Sequence, residues 1–233
     1  VKTKLLITLL ICLLATSAGA EDGFDGRPIT NNLWSPTAFT LHQSEFSVGL
    51  GPIAFGVTDE IQVGTNILLF LLQVSNVNAK ANIYTGDKLS LAAGVEYMHF
   101  DLSPLVSGDN DVTFNSIAPF AAISAVIDPR LSLHLSGRYS YFDSHADIDD
   151  YEAEYTTSGT MFMAGLEYSL SNRTKFMGDV GYDFSFSGYR FGGGVLFGWE
   201  KFRLKLGVNY YNPESASGGY TMPVIGLWWR FNG

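Results

Sequence analysis

Between Tyr189 and Tyr211 nearly every second residue is apolar, and the residues between are mostly small or charged. Tyr189, Phe191, Val195, Phe197 and Trp199, then Phe202, Leu204, Leu206, Val208 and Tyr210, fall on one face. Arg190, Gly192, Gly194, Leu196 and Gly198, then Arg203, Lys205, Gly207 and Asn209, fall on the other. Period-two alternation places successive side chains on opposite sides of a strand. About ten residues is also the length a tilted strand needs to cross a bilayer. Aromatics at both ends of the apolar face suit lipid outside, and small or charged residues suit water inside. The pattern recurs down the chain, which restricts the fold to an all-β class.

The N-terminus has the order of parts of a secretory signal peptide. Lys2 and Lys4 are followed by an apolar run from Leu5 to Leu14, and Ala18-Gly19-Ala20 offers a small-residue cleavage site before Glu21. The run is too short to span a bilayer as a helix. The one cysteine, Cys12, lies in this segment and is preceded by Ile11, which does not suit lipoprotein processing. After residue 20 there is therefore no disulfide, thiolate nucleophile or cysteine-based metal site. The formal net charge of −9 argues against nucleic acid as a partner. Past the signal the longest apolar runs, such as Ile67 to Leu72, are far shorter than a transmembrane helix. Any membrane crossing is by strands.

Residues 21–33 are polar and aperiodic, and are expected to form a short periplasmic leader, too short to plug a lumen as a separate domain. From Trp34 to the C-terminus the chain divides into runs separated by turn chemistry. Tight separators occur at Thr58-Asp59-Glu60, Thr85 to Lys88, Asp128-Pro129-Arg130, Ser171 to Thr174 and Glu200-Lys201. They alternate with more variable ones, the asymmetry of bacterial barrels with short periplasmic turns and longer outer loops. The runs predict twelve strands, at 35–42, 45–57, 60–72, 77–85, 88–102, 112–127, 130–142, 156–170, 174–186, 189–199, 202–211 and 220–231. Ten is the count if the first two runs are one irregular segment or are not membrane strands. Run 112–127 alternates poorly around Pro119, which predicts a bulge or kink. The expected architecture is a closed antiparallel transmembrane β-barrel over residues 34–233, monomeric, with both termini periplasmic.

The final run alternates Ile225, Leu227, Trp229 and Phe231. In this it resembles the bacterial outer-membrane β-barrel proteins, whose last strand carries such a pattern and a terminal aromatic. The resemblance implies an outer-membrane location, contact with lipid and lipopolysaccharide, and recognition of the last strand by the barrel-assembly machinery. Here Asn232 and Gly233 follow the aromatic. The class has no single activity.

Three constellations carry chemistry. Glu96, Arg138, Glu167, Lys175, Asp179, Asp183, Arg190, Arg203, Lys205 and Arg230 all fall on lumen-facing positions. They either pair across strands and fill the lumen or line a narrow passive channel for small polar solutes. Second, His134-Leu135-Ser136 looks like the His-x-Ser core of outer-membrane phospholipase A and, more loosely, of lipid A deacylases. That likeness implies a lipid-modifying hydrolase with His134 as base and Ser136 as nucleophile, and Glu167 as a candidate third member. The pair lies on the polar stripe Ser132, His134, Ser136, Arg138, Ser140, however, facing the lumen where the phospholipase's pair faces lipid. Third, residues 143–154 hold six carboxylates and no Lys or Arg. Asp147, Asp149, Asp150 and Glu152 offer oxygen ligands for calcium or magnesium, or the segment is a solvated loop suited to adhesion or ligand capture. No cofactor motif, phosphate loop or Gly-x-Ser-x-Gly elbow is present.

Overall fold

The computed structural model describes Phe24 and residues 29–50, 52–101, 111–148, 151–199, 201–214 and 218–231. Twelve antiparallel strands close into one barrel. They are β1 (Phe46–Leu50), β2 (Pro52–Gly56), β3 (Ile61–Asn66), β4 (Val74–Thr85), β5 (Leu89–Asp101), β6 (Asp111–Asp128), β7 (Leu131–Ile148), β8 (Tyr151–Ser171), β9 (Thr174–Asp183), β10 (Gly188–Gly198), β11 (Phe202–Asn212) and β12 (Tyr220–Phe231). Each pairs with its chain neighbours, and β1 meets β12 from Phe46↔Phe231 to Leu50↔Leu227. Closure pairs the backbone of neighbouring strands around the ring, which is what allows strands to cross a bilayer. Outward positions carry the apolar residues, among them Val180, Phe191 and Ile225, all well exposed on the barrel's outer face.

Twelve is the expected number, but the strands are differently composed. Residues 35–42 are not a strand, and run 45–57 is two strands, β1 and β2, paired only through Phe46↔Phe55 and Ser47↔Ala54. Run 60–72 leaves the sheet after Asn66 and forms a short helix, α1 (Ile67–Leu71), whose first turn is capped by Asn66 Oδ1 accepting from Leu68 N at 3.0 Å. The sequence Ile67-Leu68-Leu69-Phe70-Leu71-Leu72 is apolar at every position, so it lacks the alternation that one wet face requires. Strand β9 ends at Asp183, where the carboxylate accepts from the N–H groups of Ser185 and Phe186 and starts a turn.

Pro119 causes no bulge. The β5 ladder runs unbroken through Val95↔Pro119, and the β7 ladder resumes at Phe120↔Arg138 in the register it left at Ile117↔Tyr141. The weak alternation of β6 reflects small inward residues: Ser116, Ala118, Ala122 and Ser124 are buried on the lumen side, with Phe120 the one large member. Gly94 on β5 makes room for that ring, since a Cβ there would lie 2.4 Å from Phe120 Cζ.

The wall is uneven. β6, β7 and β8 have 18, 18 and 21 residues, whereas β1, β2 and β3 have five, five and six. The acidic segment expected to be a loop is the far end of this tall side. β7 and β8 stay paired from Asp143↔Thr156 to Ile148↔Tyr151, and β6 pairs with β7 as far as Asp111↔Asp147, so Asp143, Asp147, Glu152 and Glu154 ride on a three-stranded ribbon.

Candidate functional site

Residues 29–41 occupy the barrel interior. They form a hairpin with a bridge between Asn31 and Pro36, closed by Thr37 N donating to Thr30 O at 3.4 Å and Asn32 N to Ser35 O at 3.0 Å. Asn32, Ser35, Thr37, Ala38 and Leu41 are buried. Their partners come from around the ring: Leu41 N donates to Gln62 Oε1 on β3 at 3.1 Å, and Ala38 N to Ser124 Oγ on β6 at 2.8 Å. Lys80 Nζ on β4 donates to Thr30 O at 2.8 Å, and Lys205 Nζ on β11 to Asn32 O at 2.5 Å. A segment that touches β3, β4, β6, β9 and β11 at once can only lie inside. This corrects the expectation of an outside leader up to Leu33 and a wall strand from residue 35: over residues 29–41 the chain is a lumenal plug.

The hairpin tip is organised by Asp179 on β9. Its Oδ1 accepts from Asn32 Nδ2 at 2.7 Å and Ser35 Oγ at 3.0 Å. Oδ2 accepts from the backbone N–H of Trp34 at 2.7 Å and of Ser35 at 3.2 Å. Four donors around one buried carboxylate make a charge-assisted anchor, stronger per bond than neutral pairs. Glycine gives the tip its seat. A Cβ on Gly165 would come 2.5 Å from Asn32 Nδ2 and 2.6 Å from Asp179 Oδ1, and one on Gly194 would come 2.8 Å from Leu33 Cδ2. The bare inner face of β8 to β11 is thus a bed for Leu33, which joins Phe24, Ile29, Met177 and Leu196 in a buried apolar cluster.

The ten charged residues assigned to the lumen by alternation divide into ion pairs and plug contacts. Arg138 donates to Glu96 at 2.8 Å, and Lys175 pairs with Glu167. Arg230 pairs at 2.5 Å with Glu45, a residue the strand pattern did not single out and which lies just before β1. Arg190 lies between the rings of Trp34 and Tyr211, at 5.2 and 4.8 Å. Arg203 donates to Phe202 O at 3.0 Å, and Asp183 accepts from Tyr211 Oη at 3.3 Å. The direct pairing expected between the acids of β9 and the bases of β10 and β11 does not occur at Asp179, whose four donors all belong to the hairpin. Lys80, which also holds the hairpin, was legible as an inward position between outward Ala79 and Ala81. Nothing local marked Asn32 or Gln62.

His134 and Ser136 do face the lumen, but the hydroxyl bonded to the imidazole is that of Ser124, directly opposite on β6, at 2.8 Å from Nδ1. Ala38 N also donates to Ser124 Oγ, so this hydroxyl ties the imidazole to the hairpin. Nε2 faces Glu167 Oε2 at 3.9 Å. His134 and Ser124 are fully covered by the hairpin and the wall. With the hairpin docked, the arrangement holds a polar network together and offers a substrate no approach.

On the ribbon, His145, Glu152 and Glu154 bring one ligand atom each within 4.8 Å of one another, and Asp147 sits opposite Glu152. Asp149 and Asp150 lie outside the described residues. The Glu154 side chain is 79 % exposed, so these groups stand in solvent.

The hairpin leaves the lumen partly open. One cavity of about 340 Å³ is lined by Asn76, Asn78, Lys80, Glu96 and Arg138. A second of about 240 Å³ is lined by Ile29, Leu50, Leu68, Val224 and Trp228. Both touch Ala54, Gln62, Asn66 and Lys205, so they meet along the inner face of the low wall.

No family model matches the chain, and no curated protein matches it. Solved structures do. The KdgM porin in complex with disordered oligogalacturonate matches with a TM-score of 0.51 at 12% identity, covering 81% of this chain and 97% of that one. The toluene transporter TbuX of Ralstonia pickettii matches at 11% identity and TM-score 0.45, over 81% of this chain and 68% of that one. The attachment invasion locus protein Ail of Yersinia pestis matches at 10% and 0.34, over 81% and 99%. At such identities the likeness is one of fold: this chain shares with the KdgM porin the closed antiparallel β-barrel, here of twelve strands with an apolar outer face.

Proposed function

We propose that the chain is a narrow, non-enzymatic channel for small polar solutes in the bacterial outer membrane, with its tight turns and both termini on the periplasmic side. The observation that carries this is the off-centre plug. The hairpin tip is seated by Asp179 against β8 to β11, and the two cavities lie beside the hairpin and share Ala54, Gln62, Asn66 and Lys205. The larger cavity is amide-rich and contains the Glu96–Arg138 pair, groups that can exchange hydrogen bonds with water and a polar solute as it passes.

The test is single-channel conductance of the detergent-refolded protein in a planar bilayer. Small discrete steps are expected, and Ala54→Trp, which puts a large side chain where the two cavities meet, is expected to reduce them at least severalfold. A silent bilayer with folding confirmed, or steps indifferent to Ala54→Trp, overturns the reading.

A further inference from the structure

The barrel closes fully only near its tight-turn end. β1 is five residues long and pairs with β12 no further than Leu50↔Leu227. Above that point Tyr220–Gly226 of β12 have β11 on one side and no strand on the other among the described residues. β3 stops at Asn66, and there the gap is stitched shut: Asn66 N donates to Asn76 Oδ1 at 2.6 Å, and Asn76 Nδ2 returns to Asn66 O at 3.0 Å. Helix α1 packs against β4 and β1 above the short strands. Among the described residues no such pair of hydrogen bonds closes the lip on β12. It carries Pro223, a residue found at sheet edges because it has no N–H to leave unpaired. Unpaired backbone at membrane depth is tolerated where it lines a cavity, and the 240 Å³ cavity lies directly behind this edge.

That cavity reaches through the wall. It is lined by inward Val224 and Trp228 and also by Leu50 and Ile225, whose side chains point outward and are 50% and 66% exposed. The groups at the rim are Leu50, Pro52, Leu68, Val224 and Ile225, without a charge among them. The cations deeper in are engaged, Lys205 with Asn32 O and Arg230 with Glu45.

We propose that the gap between the end of β1, α1 and the free edge of β12 is a lateral window, through which a small uncharged apolar molecule exchanges between the membrane hydrocarbon and the lumenal cavity. A dry apolar cavity of about 150 Å³ holds a benzene ring, so the space here suits one substituted ring or two fused ones. The inference does not depend on conduction along the lumen, and a silent bilayer leaves it standing.

The probe is bromobenzene, a quencher of indole fluorescence, added to the full-length refolded protein in phosphatidylcholine vesicles. Trp34, Trp199 and Trp229 are replaced by Phe so that Trp228 alone reports. Saturable quenching is expected, weakened at least tenfold by Val224→Phe, which fills the cavity, and by Leu68→Glu, which puts a charge on the rim. Quenching that rises without saturation and is unchanged in whichever of these variants folds overturns the proposal. Lipid acyl chains share the same chemistry, so a second arm uses vesicles of acyl-brominated lipid without bromobenzene. Trp228 is expected to be quenched far less than Trp229 in the matching single-Trp protein. Equal quenching places an acyl chain in the window and overturns the small-molecule assignment.

Discussion

Replacing Asp179 by Asn tests the plug with the smallest change available. The side chain keeps its shape but exchanges one acceptor oxygen for an NH2 group. If that group takes the Oδ2 position, the backbone N–H groups of Trp34 and Ser35 lose their acceptor and cannot turn away. If it takes the Oδ1 position, it meets Asn32 Nδ2, which cannot flip without turning its oxygen onto the carbonyls of Leu166 and Gly178, 3.2 and 3.1 Å away. Either orientation strands at least one buried donor, at about 1–3 kcal/mol each, and removes the charge from the bonds that survive. A net loss of about 3 kcal/mol shifts the docked-to-undocked ratio of the hairpin by roughly a hundredfold. The remaining ties, from Lys80, Lys205, Gln62 and Ser124, hold its base rather than its tip, apart from Lys205. The assay is amide hydrogen exchange of the refolded protein, read at Trp34 and Ser35, alongside conductance. Exchange faster by about two orders of magnitude and a larger, noisier open level are expected for a loosened plug. Unchanged protection of those two amides in a folded barrel would refute the argument that the carboxylate anchors the tip.

Three further outcomes follow from the same geometry. Gly165→Ala should release the tip with the charge intact, because its Cβ meets Asn32 and Asp179 within 2.6 Å, whereas Gly193→Ala, with nothing closer than 3.9 Å, should behave as wild type in the same exchange measurement. Arg230→Gln should remove the guanidinium that pairs with the buried Glu45 carboxylate across the β1–β12 seam, leaving the His42 N–H on Oε2, and cost about 3 kcal/mol, seen as a lower urea midpoint. Asp59, in the turn before β3, is held below its ordinary value of 3.8 by the N–H of Gln43 and then by His42. A depressed carboxylate stabilises the fold above its unfolded pKa and loses that contribution as pH falls through the folded value. The stability difference between the native protein and Asp59→Asn should therefore shrink as pH falls below 3.8 and level off in stronger acid.

The wall was legible because each of its residues answers to a local rule. Lipid on one side and water on the other impose period two, and Val180, Asp179 and Lys205 fall where alternation puts them. Strand ends were less legible. Whether Ile67 to Leu72 continues β3 or coils into α1 depends on the absence of a facing strand beyond Pro52↔Asn66, which is a property of β2's length and not of the run itself. The plug was illegible for a deeper reason. Asn32, Trp34 and Ser35 make their defining contacts with Asp179, more than 140 positions away, and the polar, Pro-containing sequence that suits a lumenal hairpin equally suits an outside leader. The likeness to a His-x-Ser pair misled because it reads along one strand, while the hydroxyl that His134 bonds lies across the ladder on β6.

The same asymmetry explains why plug and wall respond differently to substitution. The wall's backbone groups have only one another to bond with, because the hydrocarbon outside offers nothing in exchange, so a strand cannot leave without stranding all of them. The hairpin's ties are to side chains on a face that would otherwise be wet: Asp179, Lys80, Gln62, Ser124 and Lys205 can each take water in its place. Docked and undocked states therefore differ by the net value of a few hydrogen bonds and the burial of Leu33 and Ile29 in the lumenal cluster, a small quantity that one residue can tip. The bed of glycines on β8 to β11 fixes where the hairpin lies when it is docked. The short strands opposite decide what is left open beside it, and that is where both the proposed path along the lumen and the proposed window through the wall lie.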